Sequence, residues 1–517
     1  MFQLLPSPQE MGDWDRKSIE QYGIHQEMLM ENASREALAV LRHETGPLRG
    51  KKAVLFAGSG NNGGDTFALG RHLHDAGCRV TILHTKPKEK YKGSAGYHLD
   101  LAARTGVRLV ELPGYDLHAH PGCDIFVDGL LGTGFSGELR REYQDWIGEI
   151  NKRRGQSFVL SIDIPSGLDG RLGIPRPDAV RAHATVTFEE AKIGLWVGNA
   201  KSFTGRIHVR SIGIPRTVKE ENPPACFGLT SKVAGLFPRP EDTMHKGTAG
   251  HLLVIGGSRG LTGAPVLAGL GALRAGSGMV TVACPGSISR EIKAGGYPDI
   301  MTLPAGSSDI WSESSLQDVQ DHISRFDAVV LGPGLGRQPE TEEFVRAFLT
   351  LGDLPPLLVD ADGLYWIAQQ RELLGLLPEG TVLTPHPGEM ARLLDTKTTD
   401  VVLDRIEAAE RLRENRGLIV VHKGAGTIIS SPEKTAVSPF TEPALAVGGS
   451  GDVLSGCIGS LLARGLSPFH AACLGVFWHG FTGRLLKSRF PLRGNLPQEI
   501  AHTFPEAIKE LIYDDCQ

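Results

Sequence analysis

The sequence predicts an α/β protein built from two three-layer domains, and three observations lead to this expectation. The chain has 517 residues, whereas a single hydrophobic core rarely grows beyond about 250–300 residues. Short runs rich in Val and Ile alternate with helical stretches in both halves, which is typical of parallel sheets covered by helices. Most of these runs end in glycine or aspartate turns, and parallel sheets bind their ligands at such strand ends.

In the first half, six apolar runs are expected to form strands, and a helix is predicted at TFALGRHLHDAG (66–77). The charged segment TVKEENPPACFGLT (217–230) breaks the alternation with two prolines and is therefore predicted to be a linker. The predicted strands are KAVLFAG (52–58), RVTILHT (79–85), CDIFVDGLLG (123–132), SFVLSIDIPSG (157–167), ATVTF (184–188) and GRIHVRSIGIP (205–215).

The second half begins a new series of strands, so we expect one domain over 1–216, the linker over 217–230 and another domain over 231–517. Helices are predicted at 264–278 and 452–466. No sequence repeat relates the halves, which favours fusion over duplication. The predicted strands are HLLVIGGS (251–258), GMVTVACPG (278–286), DAVVLGPGLG (327–336), PLLVDADGL (356–364), TVLTPHPGE (381–389), GLIVVHKGAGTIIS (417–430) and KTAVS (434–438).

The composition excludes several classes of partner. The net charge is −5, from 54 basic and 59 acidic residues, so we expect neither a nucleic-acid nor a membrane partner. Seven cysteines without a C-x-x-C pair are typical of reduced thiols. The N-terminus lacks the pattern of a signal peptide, and no apolar run approaches the roughly 18–20 residues of a spanning helix. We therefore expect a soluble, cytoplasmic protein.

The first glycine motif is AGSGNNGGDTFALG (57–70), which follows a predicted strand and opens a predicted helix. Its G-x-G-x-x-G spacing suggests a dinucleotide turn, but that fingerprint also requires an acid about 20 residues on. The next strand ends at His84 without one, which argues against a redox cofactor. A turn that needs glycine only for geometry is the alternative, and three neighbouring residues are more polar than such a turn requires: Asn61, Asn62 and Asp65.

Two further motifs place carboxylates at strand ends, where burial is costly unless each finds a partner. Asp128 precedes a glycine turn, and Asp163 and Ser166 lie in the next one. Together with Asn62, these residues offer oxygen ligands, which suit a hard cation without choosing among ions.

The motifs MENASREA, GSGNNGGD, DGLLGTGFSGE and DIPSGLDG, in this order, resemble the YjeF N-terminal domain, the NAD(P)H-hydrate epimerases, over roughly 8–216. The resemblance implies a Rossmann-like domain that binds a damaged dinucleotide as its substrate and a K⁺ ion at Asn62, Asp128 and Ser166. The substrate contacts that it implies are Asn61, Asn62, Gly63, Gly64, Asp65, Gly132, Thr133, Gly134, Phe135, Ser136, Gly137, Glu138, Tyr143 and Asp163.

Epimerisation at C6 of the hydrated nicotinamide needs a group that moves a proton, and Asp163 is our candidate. Lys192 is a weaker candidate, because an exposed surface lysine is an equal alternative. Asp13 and Asp15 are expected to cap the first helix. Ser34 stands where the family often has Gly, and we expect little effect.

The strongest motif of the second half is GGSGD (448–452), which runs directly into a predicted helix. Amide groups at a helix N-terminus stabilise a phosphoryl group in transfer, and Asp452 beside them is suited to deprotonate a hydroxyl nucleophile. The alternative is that Asp452 only caps the helix. The spacing is not that of a P-loop.

GGSGD also resembles the G-x-G-D motif of the ribokinase-like fold. With HKGTAGHLLVIGGS, LGPGLG, DADGL, TPHPGE and KGAGT, it is similar to the YjeF C-terminal domain, the NAD(P)H-hydrate dehydratases, from about Lys232 to the end. The resemblance implies contacts to the hydrated dinucleotide from Ala264, Gly334, His386 and Asp452. It implies contacts to the adenine nucleotide from Lys423, Gly424, Ala425, Gly426, Thr427 and Gly451. The sequence EPALAV before the motif departs from the family's glycine–methionine stretch, which affects local contacts.

The resemblance implies a bifunctional enzyme for NADHX and NADPHX that consumes ADP with Mg²⁺ and releases AMP and phosphate. Asp452 is assigned as the base and the amides of Gly449–Gly451 as the anion hole. Lys423 is expected to help neutralise the charge of the phosphate. We also expect a homo-oligomer. Three alternatives stay open, which are a small-molecule kinase in the second half, a non-catalytic nucleotide-binding module in the first, and a conventional dehydrogenase.

Overall fold

The computed structural model describes residues 1–113, 115, 122–295, 297–414, 416–491 and 493–514. It divides into two compact units. The first unit is Leu4–Cys226, and the second is Phe227–Gln517 together with Met1–Gln3. The predicted linker 217–230 overlaps a helix, Arg216–Glu221, which begins one residue before it, and contains a strand, Cys226–Leu229.

The strands, in chain order, are β1 (Phe2–Leu4), β2 (Lys52–Ala57), β3 (Arg79–His84), β4 (Arg108–Glu111), β5 (Ile125–Gly129), β6 (Phe158–Ile162), β7 (Ala184–Phe188), β8 (Arg206–Arg210), β9 (Cys226–Leu229), β10 (His251–Ile255), β11 (Met279–Pro285), β12 (Met301–Ala305), β13 (Ala328–Leu331), β14 (Leu357–Val359), β15 (Val382–Leu383), β16 (Ile419–His422), β17 (Ile428–Ser430) and β18 (Thr435–Val437).

The helices are α1 (Pro8–Glu20), α2 (Gln26–Thr45), α3 (Asn61–Asp75), α4 (Gly93–Arg104), α5 (Arg141–Arg153), α6 (Lys201–Thr204), α7 (Arg216–Glu221), α8 (Gly263–Arg274), α9 (Ser289–Ala294), α10 (Leu316–Gln320), α11 (Pro339–Leu349), α12 (Ala361–Gln369), α13 (Pro387–Leu394), α14 (Thr398–Leu403), α15 (Arg405–Arg413), α16 (Ser450–Ala463), α17 (Pro468–Arg489) and α18 (Pro497–Asp514).

The first unit contains a seven-stranded sheet in the order β4-β3-β2-β5-β6-β7-β8. All of its pairings are parallel, as the alternation of strands and helices predicts. Each of the six runs predicted to form strands contains one. Because β2, β5 and β6 are neighbours, the polar residues that follow or end them meet at one edge of the sheet.

The second unit contains an eleven-stranded sheet in the order β1-β9-β18-β17-β16-β15-β14-β13-β10-β11-β12. The strands from β10 to β16 pair in parallel. The run 417–430 is predicted as one strand, but it forms the antiparallel pair β16 and β17. Both α/β units agree with the predicted fold class.

The first helix begins differently from the prediction. Ser7 is the N-cap of α1, and Glu10 completes a capping box with it. Asp13 and Asp15 lie further along the helix, so the prediction that they cap it is wrong. Elsewhere, in the part of the chain that the structure describes, no helix is both long and apolar enough to cross a membrane.

Two candidate active sites

The first candidate site is a cavity of about 730 Å³ in the first unit. It opens at the carboxyl ends of β2, β5 and β6, where the loops after the strands present polar side chains. Most of the predicted substrate contacts line it: Asn61, Asn62, Asp65, Gly132, Thr133, Gly134, Phe135, Ser136, Glu138, Tyr143 and Asp163.

Three predicted contacts, Gly63, Gly64 and Gly137, are not among the lining residues. A Cβ on Gly63 would lie 1.9 Å from the backbone oxygen of Gly58, and one on Gly64 would lie 2.4 Å from Sδ of Met30. These two glycines therefore let α3 pack closely against its neighbours. Gly137 adopts a φ of +83°, which the turn at this point requires.

The three predicted cation ligands gather around Leu131. Asp128 is fully buried, and its carboxylate accepts hydrogen bonds from the backbone N–H of Ser166 (2.8 Å) and from the hydroxyls of Ser161 (2.9 Å) and Ser166. The Asn62 amide nitrogen donates to the carbonyl oxygen of Leu131 at 2.8 Å, which also lies 3.3 Å from the Ser166 hydroxyl.

This oxygen-rich cluster fits a hard cation. Burial raises the pKa of Asp128, and its hydrogen bonds only partly oppose that effect. Among the described residues, no basic side chain pairs with its carboxylate, so a cation would supply the missing charge. Oxygen donors suit such a hard cation without choosing among ions. The Asn62 oxygen faces Gly132, where a Cβ would lie 2.8 Å from it.

Asp163 and Lys192 form a buried ion pair in the cavity wall. The lysine amine donates to Oδ1 of Asp163, to Oγ1 of Thr187 at 3.1 Å and to the carbonyl oxygen of Phe188 at 2.9 Å. Lys192 is only 1% exposed, so the alternative of an exposed surface lysine is wrong. Asp163 itself adopts a φ of 64°, a strained conformation for a non-glycine residue that is typical of functional sites.

The second candidate site surrounds the N-terminus of α16. Gly449 is the N-cap with a φ of 88°, and Asp452 lies in the first turn. Burial and the negative charge of Asp360 raise the pKa of Asp452 to about 7, although Lys423 opposes the shift. A carboxyl group that titrates near neutral pH is well placed to accept a proton.

Lys423 lies between several acidic side chains instead of facing open space. Its amine donates to Oδ1 of the fully buried Asp360 at 2.7 Å and lies 3.9 Å from Oε2 of Glu389. Ser455 donates to the other oxygen of Asp360 at 2.6 Å. A Cβ on Gly451 would lie 3.3 Å from the lysine amine. The predicted nucleotide contacts Lys423 and Gly451 are therefore brought next to Asp360, a residue to which the sequence analysis assigned no role.

The loop 423–427 is held by a second residue that the sequence analysis missed. The Arg405 guanidinium donates to the carbonyl oxygens of Ala425, Gly426 (3.2 Å) and His422 (2.8 Å). Burial lowers the pKa of Arg405 to about 10. Because one partly buried guanidinium binds three carbonyl oxygens in and just before this loop, it fixes the backbone that is predicted to contact the nucleotide.

The other predicted dinucleotide contacts have clear neighbours. A Cβ on Gly334, whose φ is 64°, would lie 3.2 Å from Cβ of Ala264, so these two residues are adjacent. His386 is the N-cap of α13, and its Nδ1 accepts from the backbone N–H of Gly388 at 3.0 Å. Its imidazole is half exposed, so the ring caps the helix while one edge faces solvent.

Two family models match the chain, one in each unit. The model described as the YjeF-related protein N-terminus matches residues 26–194, and the model described as NAD(P)H-hydrate dehydratase matches residues 252–506.

Similar proteins span nearly the whole chain. The bifunctional NAD(P)H-hydrate repair enzyme of Moorella thermoacetica is 35% identical over 98% of this chain and 97% of its own length. Its counterpart in Escherichia coli is 31% identical over 97% of this chain and 93% of its own. A crystal structure of the ADP/ATP-dependent NAD(P)H-hydrate dehydratase from Bacillus subtilis is 27% identical and covers 55% of this chain and 97% of that one, with a TM-score of 0.46.

Proposed function

The chain belongs to the family of bifunctional NAD(P)H-hydrate repair enzymes, and we propose that it repairs hydrated NADH and NADPH in two steps. The first unit epimerises the R and S forms, and the second unit dehydrates the S form. The observation that supports this assignment most directly is the full-length similarity together with one carboxylate-bearing site in each unit. We assign the epimerase to 1–216 and the dehydratase to 231–517.

In the first unit, the hydrated dinucleotide occupies the 730 Å³ cavity. Asp163 exchanges a proton with the substrate at C6. The positively charged amine of Lys192 forms an ion pair with the Asp163 carboxylate. Asn62, Asp128 and Ser166 would hold a K⁺ ion, which supplies a fixed positive charge beside the cavity.

In the second unit, Asp452 removes the proton from the C6 hydroxyl of the S epimer, and the hydroxyl oxygen attacks the β-phosphorus of ADP. AMP leaves as the bond to its α-phosphate oxygen breaks. The electron pair of the ring nitrogen then expels phosphate from C6, and loss of a proton from C5 restores the double bond of NADH or NADPH. The amides of Gly449–Gly451 face the transferred group at the helix N-terminus.

Mg²⁺ bound with ADP would screen the charge of the nucleotide. Loop residues 423–427 contact that nucleotide, while Ala264, Gly334, His386 and Asp452 contact the hydrated dinucleotide. Lys423, which is held by Asp360, adds a positive charge near the phosphate. The working form that we propose is a homo-oligomer in the cytoplasm, with no nucleic-acid or membrane partner.

One assay tests the proposal. Purified protein is mixed with separated R-NADHX and S-NADHX, with ADP and ATP compared, and NADH is followed by its absorbance. We expect NADH from both epimers, phosphate release, and faster turnover with ADP than with ATP. A stable phosphorylated product without NADH would indicate a small-molecule kinase instead. Turnover of an added alcohol or carbonyl compound would favour a dehydrogenase.

A second comparison separates an active first unit from a non-catalytic module. Asp163→Ala should abolish use of the R epimer and leave repair of the S epimer unchanged. Asp13→Ala is the matched control, because the Asp13 carboxylate pairs with Arg16 at 2.7 Å on the exposed side of α1. If Asp163→Ala used both epimers at the wild-type rate, the first unit would have no catalytic part.

A further inference from the structure

Helix α1 turns one acidic side chain into the first cavity. Met11, Asp15 and Ile19 are spaced four residues apart, so they lie on one face of the helix, and all three line the cavity. A carboxylate between two apolar residues reduces the stability gained by burying that helix face, so its presence there indicates a role other than packing. Because Ser7 and Glu10 cap the helix, Asp15 is not needed for capping.

The Asp15 carboxyl group lines the cavity instead of pairing with another side chain of the described residues. Within the described ranges of the chain, no hydrogen bond or ion pair joins it to another residue, whereas Asp13 on the same helix pairs with Arg16. Pro6 accepts a hydrogen bond from the backbone N–H of Ile193 at 3.0 Å. This contact ties the segment before α1 to the residue that follows Lys192, so the helix and the Asp163–Lys192 pair share one wall.

The groups around Asp15 favour its protonated form. Burial raises the pKa of Asp15 to about 6, the nearby charges of Asp163 and Glu189 act in the same direction, and Lys192 opposes them. Burial and the nearby charges of Asp163 and Asp15 also raise the pKa of Asp65. The charged groups on the cavity wall are Asp15, Asp65, Lys86, Glu138, Arg140, Asp163 and Lys192.

We propose that Asp15 is a second acid–base residue of the first site, which exchanges a proton with the C6 hydroxyl while Asp163 serves the other proton transfer. The proposal rests on the epimerase function proposed above. An epimerase must break the C6–O bond on one face of the ring and form it again on the other face. Two separate carboxyl groups in one cavity meet that requirement, because each can serve one face. The carboxyl group of Asp15 and the lysine-bound carboxylate of Asp163 differ in their surroundings, so they are suited to opposite roles.

The proposed epimerisation conserves protons and electrons. The acid form of Asp15 protonates the C6 hydroxyl, the C–O bond breaks, and water leaves as the nitrogen electron pair forms a C=N⁺ bond. Water then adds to the other face of C6, a new C–O bond forms, and the proton that this water loses goes to Asp163. The proton returns from Asp163 to Asp15 through water in the cavity. The reverse reaction uses the same two groups in exchanged roles, and no oxidant or reductant takes part.

The test isolates epimerisation by leaving out the nucleotide. Pure S-NADHX is incubated with the full-length protein without ADP or ATP, and formation of the R epimer is followed by chromatography after the uncatalysed rate is subtracted. Asp15→Asn, which keeps the shape of the side chain and removes its acidic proton, should lower kcat for epimerisation about 100-fold or more, with KM within about threefold of the wild type. Asp13→Asn should match the wild type, and ADP-dependent repair of the S epimer should be unchanged in both variants.

Each outcome decides a different claim. If the wild-type protein forms no R epimer, the epimerase function itself fails. If the wild type epimerises and Asp15→Asn keeps its kcat, only the role of Asp15 is overturned, and a rise in KM at unchanged kcat overturns it as well. Asp15→Glu guards against a folding defect because it keeps the acid. We expect it to epimerise at least tenfold faster than Asp15→Asn, and equal rates in the two variants would count against proton transfer.

Discussion

Dehydration of the S epimer is expected to accelerate about tenfold between pH 6 and pH 8, because Asp452 must be ionised to act as the base. Burial and Asp360 raise its pKa to about 7. A carboxyl group with that pKa is roughly 9% ionised at pH 6 and roughly 91% ionised at pH 8. The measurement is kcat/KM for S-NADHX at saturating ADP, which reports the ionisation of the enzyme–ADP complex before it binds S-NADHX. A rate that is flat or falls across this range would refute the assignment of Asp452 as the base.

The charges around Asp452 predict how variants move this pH profile. Lys423 lowers the pKa of Asp452 and Asp360 raises it, so Lys423→Met should shift the profile to higher pH and Asp360→Asn should shift it to lower pH. Glu389 also has a pKa raised to about 7 by burial, and Glu389→Gln should keep the rising limb if Asp452 causes it. The exposed substitution Lys487→Met is the matched control. Shifts of Lys423→Met and Asp360→Asn in the same direction would contradict the electrostatic explanation.

Three further predictions concern the supports of the two sites. Asp128→Asn should abolish stimulation of epimerisation by K⁺, measured by titrating KCl against a tetramethylammonium salt, and unchanged stimulation would exclude Asp128 as a ligand. Gly132→Ala places a Cβ 2.8 Å from the Asn62 oxygen and should slow epimerisation at least tenfold, whereas Gly148→Ala, with nothing within 4 Å of its Cβ, should not. Arg405→Leu frees three loop carbonyl oxygens and should raise KM for ADP about tenfold, whereas the exposed Arg411→Leu on the same helix should leave that KM unchanged.

The sequence was sufficient to predict strands that are long, buried and followed by a glycine or aspartate turn. It missed β4, whose central residues Leu109 and Val110 are only half-buried, and β12, which contains Pro304 and lies at a sheet edge. In both cases the apolar signal is weak, because an edge strand buries less surface. Within 417–430 the glycine-bearing turn HKGAGT (422–427) was visible in the sequence, and the structure places it between the antiparallel strands β16 and β17.

Site residues were predictable where they lie at the ends of strands. They were harder to predict where their role depends on contacts with residues that are distant in the sequence. The local sequence does not distinguish Lys192 from a surface lysine, because its carboxylate partner, Asp163, lies 29 residues away in the chain. Asp360 lies 63 residues from Lys423, and no spacing rule connects them. Asp15 was assigned to capping because acidic residues near a predicted helix start usually have that role, whereas only the structure shows which face of α1 lines the cavity.

Both sites use one lysine among several buried carboxyl groups, and this arrangement has a chemical consequence. Lys192 pairs with Asp163 and leaves Asp15 without a basic partner of its own, while Lys423 pairs with Asp360 in the same way beside Asp452. A single positive charge does not neutralise several carboxylates in a poorly solvated site, so the remaining groups bind protons more tightly, and the pKa rises to about 6 for Asp15 and to about 7 for Asp452. Such groups both give and take protons near neutral pH. The two proposed reactions act on one hydroxyl group, which the first must protonate and the second must deprotonate, and the same electrostatic arrangement serves both.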